Sequence, residues 1–381
     1  MGGVVRKAIV VGGGIGGLTA AIALRRVGIG AVVFERAGEL REIGAGISLW
    51  VNAMKALERL EIADAVRASG RQEIGGAILT SGGGTLSEIP ADALEERFGP
   101  NVVLRRADLQ GALLAALPED AVRLDARCVG YRQDGYGVTA LFAGGREERG
   151  DLLVGADGLN SVVRKQLFGG GAEPRYAGFT AWRALAEPGE DQAGFEAWGR
   201  GEIFGLAGLG RGRFYWYATK NAPEGQRDAA AGRKAELLER FGSWCEPIPS
   251  VIRATEETAI LRNDIYDREP AGRWGEGNAT LLGDAAHPMT PNLGQGACQA
   301  IEDAVVLADA VRLSDSAASA LRSYEARRIR RTGAVVRASR SMARVLQIEA
   351  PLLCGVRDAG VRLMPAGARM GRLDPIVGYE V

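Results

Sequence analysis

At 381 residues the chain is longer than one hydrophobic core usually serves, so two domains are expected. Lys+Arg and Asp+Glu both number 47, and a formal net charge of +0 gives no reason to expect a nucleic acid partner. No apolar run reaches the ~18 residues of a membrane span, and with His287 the one histidine and no C-x-x-C among Cys128, Cys245, Cys298 and Cys354, neither a resident metal nor a disulfide framework is expected.

The N-terminus runs from Met1 to Lys7 straight into an apolar strand with no secretory h-region, which points to a cytoplasmic location. Lys7 to Val11 reads as that strand, Gly12 to Gly17 as a tight glycine turn, and Ile15 to Val27 as a helix with Ile15, Leu18 and Ile22 at helical spacing. Gly28 and Gly30 end it, and Ala31 to Phe34 is a second strand; a β-α-β unit implies a parallel sheet. After residue 70 the texture becomes strand-like, with Ile74–Thr80 and Thr85–Ile89 around the glycine run Gly82 to Gly84 reading as a hairpin. Val102–Arg105 and Leu152–Val154 read as further buried strands of the first domain, with a hairpin ribbon of Val122–Gln133 and Val138–Phe142 between them. Arg175 to Tyr217 is rich in aromatic residues and reads as a β-sheet with an aromatic wall. Helix returns at Arg233–Phe241 and dominates after Gly296. The expected architecture is α/β: a discontinuous Rossmann-like domain (1–73, 100–172, 268–345), a mixed β-sheet domain (74–99, 173–267) and a helical tail (346–381).

Two segments carry chemistry. Gly12-Gly13-Gly14-Ile15-Gly16-Gly17 fits G-x-G-x-x-G between strand and helix. Gly12 allows the turn, Gly14 lets backbone approach a pyrophosphate, and Gly17 lets helix and strand pack closely. Glu35 closes the second strand at the spacing expected of a carboxylate that binds a ribose hydroxyl, yet this motif alone does not separate FAD from NAD(P). The second segment, Thr280 to Pro288, is a strand ending in an acidic turn at Asp284; Pro291-Asn292-Leu293-Gly294-Gln295-Gly296 then opens the helix Ala297–Leu313. Amides at Gly294 to Ala297 sit at a helix N-terminus, which favours an anion such as the N1–C2=O edge of reduced flavin.

These residues resemble the single-component FAD-dependent monooxygenases of the para-hydroxybenzoate and salicylate hydroxylase type. The resemblance runs in order from Gly12–Gly17 with Glu35 and Arg36, through Gly44-Ala45-Gly46-Ile47-Ser48 with Asn52, Arg106-Ala107-Asp108-Leu109, and Asp157-Gly158 with Ser161 and Arg164, to Gly283-Asp284 through Glu302-Asp303 and Tyr324-Glu325-x-x-Arg328. It implies FAD as cofactor and NADH or NADPH as a transient reductant without a Rossmann domain of its own. It also implies O2 activation as a flavin C4a-hydroperoxide and transfer of one oxygen atom to an aromatic small molecule. Implied FAD contacts are Gly12, Gly14, Gly16, Gly17, Glu35, Arg36, Ser48, Arg106, Asp157, Asp284, Pro291, Gly294, Gln295, Gly296 and Ala297.

For substrate, Tyr215 lies where related hydroxylases place a substrate-contacting tyrosine, to bond or deprotonate a phenol or simply to pack under the sheet. Trp182 and Arg183 suit stacking and charge pairing with an aromatic anion, or alternatively a sheet aromatic and a surface arginine. His287 offers a general base or a structural imidazole bonded to nearby backbone. The urate hydroxylases' substrate arginine is Ile203 here, and the histidine that 6-hydroxynicotinate hydroxylases carry after Gly-Ala-Gly-Ile is Ser48; a larger or less charged aromatic ring is therefore expected. Two rivals stand beside hydroxylation: an epoxidase or other flavin oxidoreductase acting on an isoprenoid or polyketide, and an FAD-retaining binding protein without catalysis. Oligomeric state leaves no mark in the sequence.

Overall fold

The computed structural model of the protein describes residues 5–40, 46–73, 76–89, 91–169, 173–187 and 193–381. The expected Gly44-Ala45 and Ile74 lie outside them. Four short apolar runs (Lys7–Val11, Gly30–Phe34, Leu152–Gly155 and Ala279–Leu281), joined at the edge by Val122–Arg123, form a five-stranded parallel sheet. Its order places Lys7–Val11 at the centre, between Leu152–Gly155 and Gly30–Phe34. Both faces are covered, which is why these strands read as unbroken apolar runs. The first helix, Ile15–Arg26, packs on the helix Gly296–Arg312, burying most of both.

A second, seven-stranded sheet runs in the order Leu261–Asp267, Arg175–Ala186, Arg213–Asn221, Glu202–Gly210, Phe195–Trp198, Gly76–Thr80, Thr85–Ile89. All its neighbours are antiparallel except Phe195–Trp198 with Gly76–Thr80. Phe204, Leu206, Phe214, Trp216 and Trp182 project to one face, where Arg233–Phe241 and Ile248–Ala254 cover them. The opposite face meets a small antiparallel sheet of Gly46–Leu49, Asn101–Arg105 and Arg71–Glu73, which Glu202–Gly210 contacts directly.

Two expectations change. Asn101–Arg105 is buried as expected but pairs in the small sheet, because its antiparallel partner Gly46–Leu49 arrives from beside the glycine turn. The ribbon is three-stranded, Cys128–Asp134, Gly137–Phe142 and Glu147–Gly150, and Val122–Arg123 belongs to the parallel sheet instead. The 30-residue helix Ala317–Leu346 packs beside Gly296–Arg312, and Pro351–Leu363 and Ala366–Val377 follow it.

Candidate active site

The opening turn uses its glycines in three different ways. Gly12 sits at φ +110°, and a Cβ there would lie 2.3 Å from the Ala156 carbonyl oxygen. At Gly17 a Cβ would lie 1.9 Å from the Gly12 oxygen, so helix and turn touch backbone to backbone. At Gly14 a Cβ would meet nothing within 4 Å: the turn leaves open space there. The Gly12 amide donates to the Phe34 carbonyl at 2.8 Å, and the Glu35 carboxylate accepts from the amides of Gly13 at 2.7 Å and Ala37 at 2.9 Å. The carboxylate is thereby fixed beside the turn, while Arg36 is exposed at its rim.

The second turn converges on the same side of the parallel sheet. Leu281 leads into Gly283–Ala285, and the exposed Asp284 sets Oδ1 3.9 Å from where a Cβ on Gly296 would be. Pro291–Leu293 form a single helical turn ending at Gly294, which is left-handed at φ +61° and 2.9 Å (measured from a would-be Cβ) from Trp50 Nε1. Glycine is required there twice over. Gly296 and Ala297 then open the buried helix with their first-turn amides uncommitted inside the helix. Between the two turns lies Asp157, whose Oδ2 takes the Val162 amide at 2.7 Å while its buried Oδ1 has no protein partner. Burial pushes the Asp157 carboxyl up, against the bonds from Ser161 and Val162. Asn52 Oδ1, Asn292 Oδ1 and Gln295 Nε2 are likewise buried without protein partners. Buried polar atoms are rarely left so unless a ligand or water satisfies them. Together with the open space at Gly14, they fit an extended dinucleotide laid between the turns.

A buried charge cluster holds the second turn in place. Arg328 donates from Nε to Asp303 at 2.6 Å, from Nη1 to Glu302 at 2.5 Å and from Nη2 to Gln299 Oε1 at 2.8 Å. Arg331 adds bonds of 2.7 Å to both Glu302 oxygens. Glu302 and Gln295 in turn accept from Asn52 Nδ2 at 2.6 and 3.0 Å. His287 lies at the other end, Nε2 2.6 Å from Asp303, whose same oxygen takes the Gly283 amide at 3.1 Å. The imidazole is therefore tied to a carboxylate rather than to nearby backbone as expected, because the turn folds it inward onto the long helix. Burial alone would raise Asp303, but His287 and Arg328 hold its carboxyl down to about 2. Glu302 is also held low, by Arg328 and Arg331 against burial. Cys298, one turn into this helix, is pushed by burial up to about 12 and is an inert packing thiol. Arg164 donates to the carbonyls of Ala285 and Ala286 at 2.9 and 3.1 Å, and burial lowers it to about 10.

Facing this region, one row across the large sheet reads Arg183, Tyr217, Gly205, Glu196, Ile78. Tyr215 and Ile203 lie in the flanking rows on the same face. Tyr215 packs against Gly46, whose Cβ would be 2.3 Å from its ring, and so sits beside Ser48 and the strand that leads into Arg106. Burial raises the Tyr215 phenol, and the charges of Arg183 and Arg106 oppose that rise. Tyr217 lies flat over Gly205 and donates its hydroxyl to Glu196, which also accepts from Trp198 Nε1. Burial pushes the Glu196 carboxyl up against those two bonds. Trp182 corrects the sequence reading: it pairs with Ala218 and points to the opposite face, fully buried beneath Lys220 and Arg262. Period two puts Trp182 and Arg183 on opposite sides of the strand, so only Arg183 reaches the face toward the flavin domain. Glu196 escaped sequence analysis; the signal was an acid in the apolar strand Phe195–Trp198.

Comparison with known proteins accords with this arrangement. A family model described as "FAD binding domain" matches residues 6–339. The aurachin C monooxygenase/isomerase of Stigmatella aurantiaca is 45% identical over 360 residues, covering 93% of this chain and 94% of that protein. A zeaxanthin epoxidase of Solanum lycopersicum is 38% identical over 355 residues, but this chain spans only 53% of its length. Klebsiella pneumoniae HpxO, crystallised with FAD and uric acid, superposes with a TM-score of 0.91 at 32% identity, over 97% of this chain and 95% of that one. The glycine turns, the unsatisfied polar atoms between them and these likenesses over nearly the whole length place the chain in the family of FAD-dependent monooxygenases of the aromatic hydroxylase type.

Proposed function

We propose that this enzyme uses NAD(P)H and O2 to hydroxylate a largely apolar, polycyclic aromatic compound that presents one ring O–H or N–H to Tyr217. The observation that carries this reading is the Tyr217–Glu196 pair. Tyr217 donates its hydroxyl to Glu196, a carboxyl that burial pushes up, so a proton leaving a substrate at this face has a path to a buried proton acceptor. Around that acceptor the face is formed by Ile203, Gly205, Ala207 and Leu185, which suits a wide uncharged ring, and no arginine replaces Ile203.

FAD would be held by Gly12, Gly14, Gly16, Gly17 and Glu35 at its adenosine half, with Arg36 at the rim. Ser48, Arg106, Asp157, Asp284, Pro291, Gly294, Gln295, Gly296 and Ala297 would surround the remainder. When bound it supplies electron transfer from the nicotinamide and the activation of oxygen. The protein's own part is different. The helix opening at Gly296 favours negative charge at its N-terminus, and the large sheet shuts water from the ring. Tyr217 accepts the substrate proton as its own moves to Glu196, making the ring electron-rich at the moment of attack. Tyr215 and Arg183 orient the ring edge. His287, held by Asp303, positions the second turn and touches no substrate.

The test is NADPH or NADH oxidation and O2 uptake by the yellow protein across phenols, salicylates, quinolones, polycyclic phenols and urate. Strong stimulation by polycyclic phenols or quinolones is expected; stimulation by urate alone overturns the substrate class. Glu196→Gln should lower turnover of the preferred substrate by about 10²-fold, a typical general-base contribution, and remove the acid-limb loss of activity that protonation of Glu196 causes. Tyr217→Phe should raise KM as well. Unchanged pH profiles in both variants would remove the pair from the reaction.

A further inference from the structure

The helix Pro351–Leu363 is turned inside out. Leu352, Val356 and Leu363 fall at i, i+4 and i+11, one face of a helix, and are 80%, 65% and 82% exposed. The buried face carries Cys354 and Arg357 instead, with the Arg357 guanidinium over the Trp198 ring and its Nη2 donating to the Gly199 carbonyl at 3.0 Å. Leu353 widens the apolar stripe, and Met342 and Val345 extend it onto the last turn of the preceding helix. A water-facing helix normally shows the opposite pattern, and an apolar patch of this kind marks an interaction surface.

The charges around it point to the occupant. Arg327, Arg330, Arg337 and Arg344 recur along the exposed side of the 30-residue helix, and Arg362 lies within the apolar helix itself. None of these five is paired with an acid among the described residues, whereas Arg322, Arg328, Arg331 and Arg340 on the same long helix are all bonded to Glu or Asp. From Arg327 to Arg344 the strip spans about 25 Å at the ordinary helical rise. A groove of about 540 Å³ between this helix and Ala366–Val377, lined by Arg327, Arg330 and Arg372, continues it. A second copy docked about a two-fold axis would bring these arginines against one another. An anionic bilayer would satisfy them while taking up the leucines.

We propose that the face formed by the end of Ala317–Leu346 and by Pro351–Leu363 binds the surface of an anionic membrane, its apolar stripe in the interface and its arginines on lipid phosphates. No helix among the described residues is long and apolar enough to cross a membrane, so the contact is peripheral. The net charge of zero conceals this local basic strip. Val361, on the inner side of the same helix, packs in the cluster of Ile203, Trp198 and Tyr217, so the bound face would be the outer side of a helix that abuts the proposed substrate face.

The experiment is flotation of the FAD-loaded full chain with phosphatidylcholine vesicles, with and without about a third phosphatidylglycerol. Binding to the anionic vesicles alone is expected, weakened by salt. Leu352→Glu with Leu363→Glu should reduce it at least tenfold, and Arg337→Glu with Arg344→Glu should remove the preference for anionic lipid, all with unchanged flavin content. Failure of the wild-type chain to float with anionic vesicles overturns the proposal. So does a concentration-dependent dimer in light scattering that Leu352→Glu disperses, which would assign the face to a second copy. Neither result bears on the oxygenase reading, which NADPH oxidation tests separately.

Discussion

Replacing Gly14 with alanine is expected to leave the apoprotein as stable as the wild type and to weaken FAD binding by at least about 100-fold, close to 2.7 kcal/mol. The backbone at Gly14 is ordinary, φ −73° and ψ 179°, so alanine adopts it without strain. The added methyl meets no protein atom within 4 Å, and a substitution of that kind changes stability by roughly 0.5 kcal/mol or less. What the methyl does occupy is the space through which a pyrophosphate would approach the helix N-terminus. Gly17→Ala, three residues on, should behave in the opposite way. Its Cβ would lie 1.9 Å from the Gly12 oxygen, so the first helix must shift off the turn, at a cost of about 3 kcal/mol or more. Apoprotein melting and FAD titration monitored by flavin fluorescence separate the two. A Gly14→Ala protein that holds FAD with wild-type affinity would show that the dinucleotide does not cross this turn.

That contrast also shows where the sequence is legible. The order strand, glycine turn, helix, strand is written in local residue types, because each glycine answers a demand of its own neighbourhood. The parallel sheet is legible for a similar reason: strands buried on both faces read as apolar runs whatever their partners. Register is not local. Trp182 and Arg183 are adjacent and both plausible against an aromatic substrate, and only pairing with Ala218 and Tyr217 reveals which of them faces the flavin domain. Asn101–Arg105 reads correctly as buried, but the apolar run does not encode its antiparallel partner. The Tyr217–Glu196 contact needs three neighbouring strands in register and a glycine, Gly205, low enough for a ring to lie across it. The family resemblance picks out Glu302, Asp303 and Arg328 as residues without giving their geometry. Two successive helices have to pack before a guanidinium can reach both acids.

Arg328→Met should destabilise the protein by about 3–5 kcal/mol, the usual consequence of leaving buried carboxylates without their cation. Arg328, Glu302 and Asp303 are all fully buried, so no solvent stands in for the lost charge. At roughly 2–4 °C per kcal/mol for a chain of this size, the melting temperature at neutral pH should fall by about 10 °C. The pH dependence gives a sharper signature. Asp303 titrates near 2 in the folded protein, below the ordinary aspartate value of 3.8. Its ionised form therefore contributes stability that is present above about pH 4 and is lost as the pH falls toward 2. With Arg328 gone, His287 is the remaining charge that opposes burial, the folded-state value rises, and the acid loss should begin at higher pH. Melting curves from pH 7 down to 3 for both proteins test this, and wild-type stability for Arg328→Met at pH 7 would refute the assignment. Arg328→Lys should recover part of the loss, since a single ammonium cannot bond Asp303, Glu302 and Gln299 together as the planar guanidinium does. The same lesion should reach the flavin site: Glu302 and Gln295 share Asn52, so slackening the cluster loosens the turn at Gly294, and FAD should be released below the temperature at which the sheets unfold.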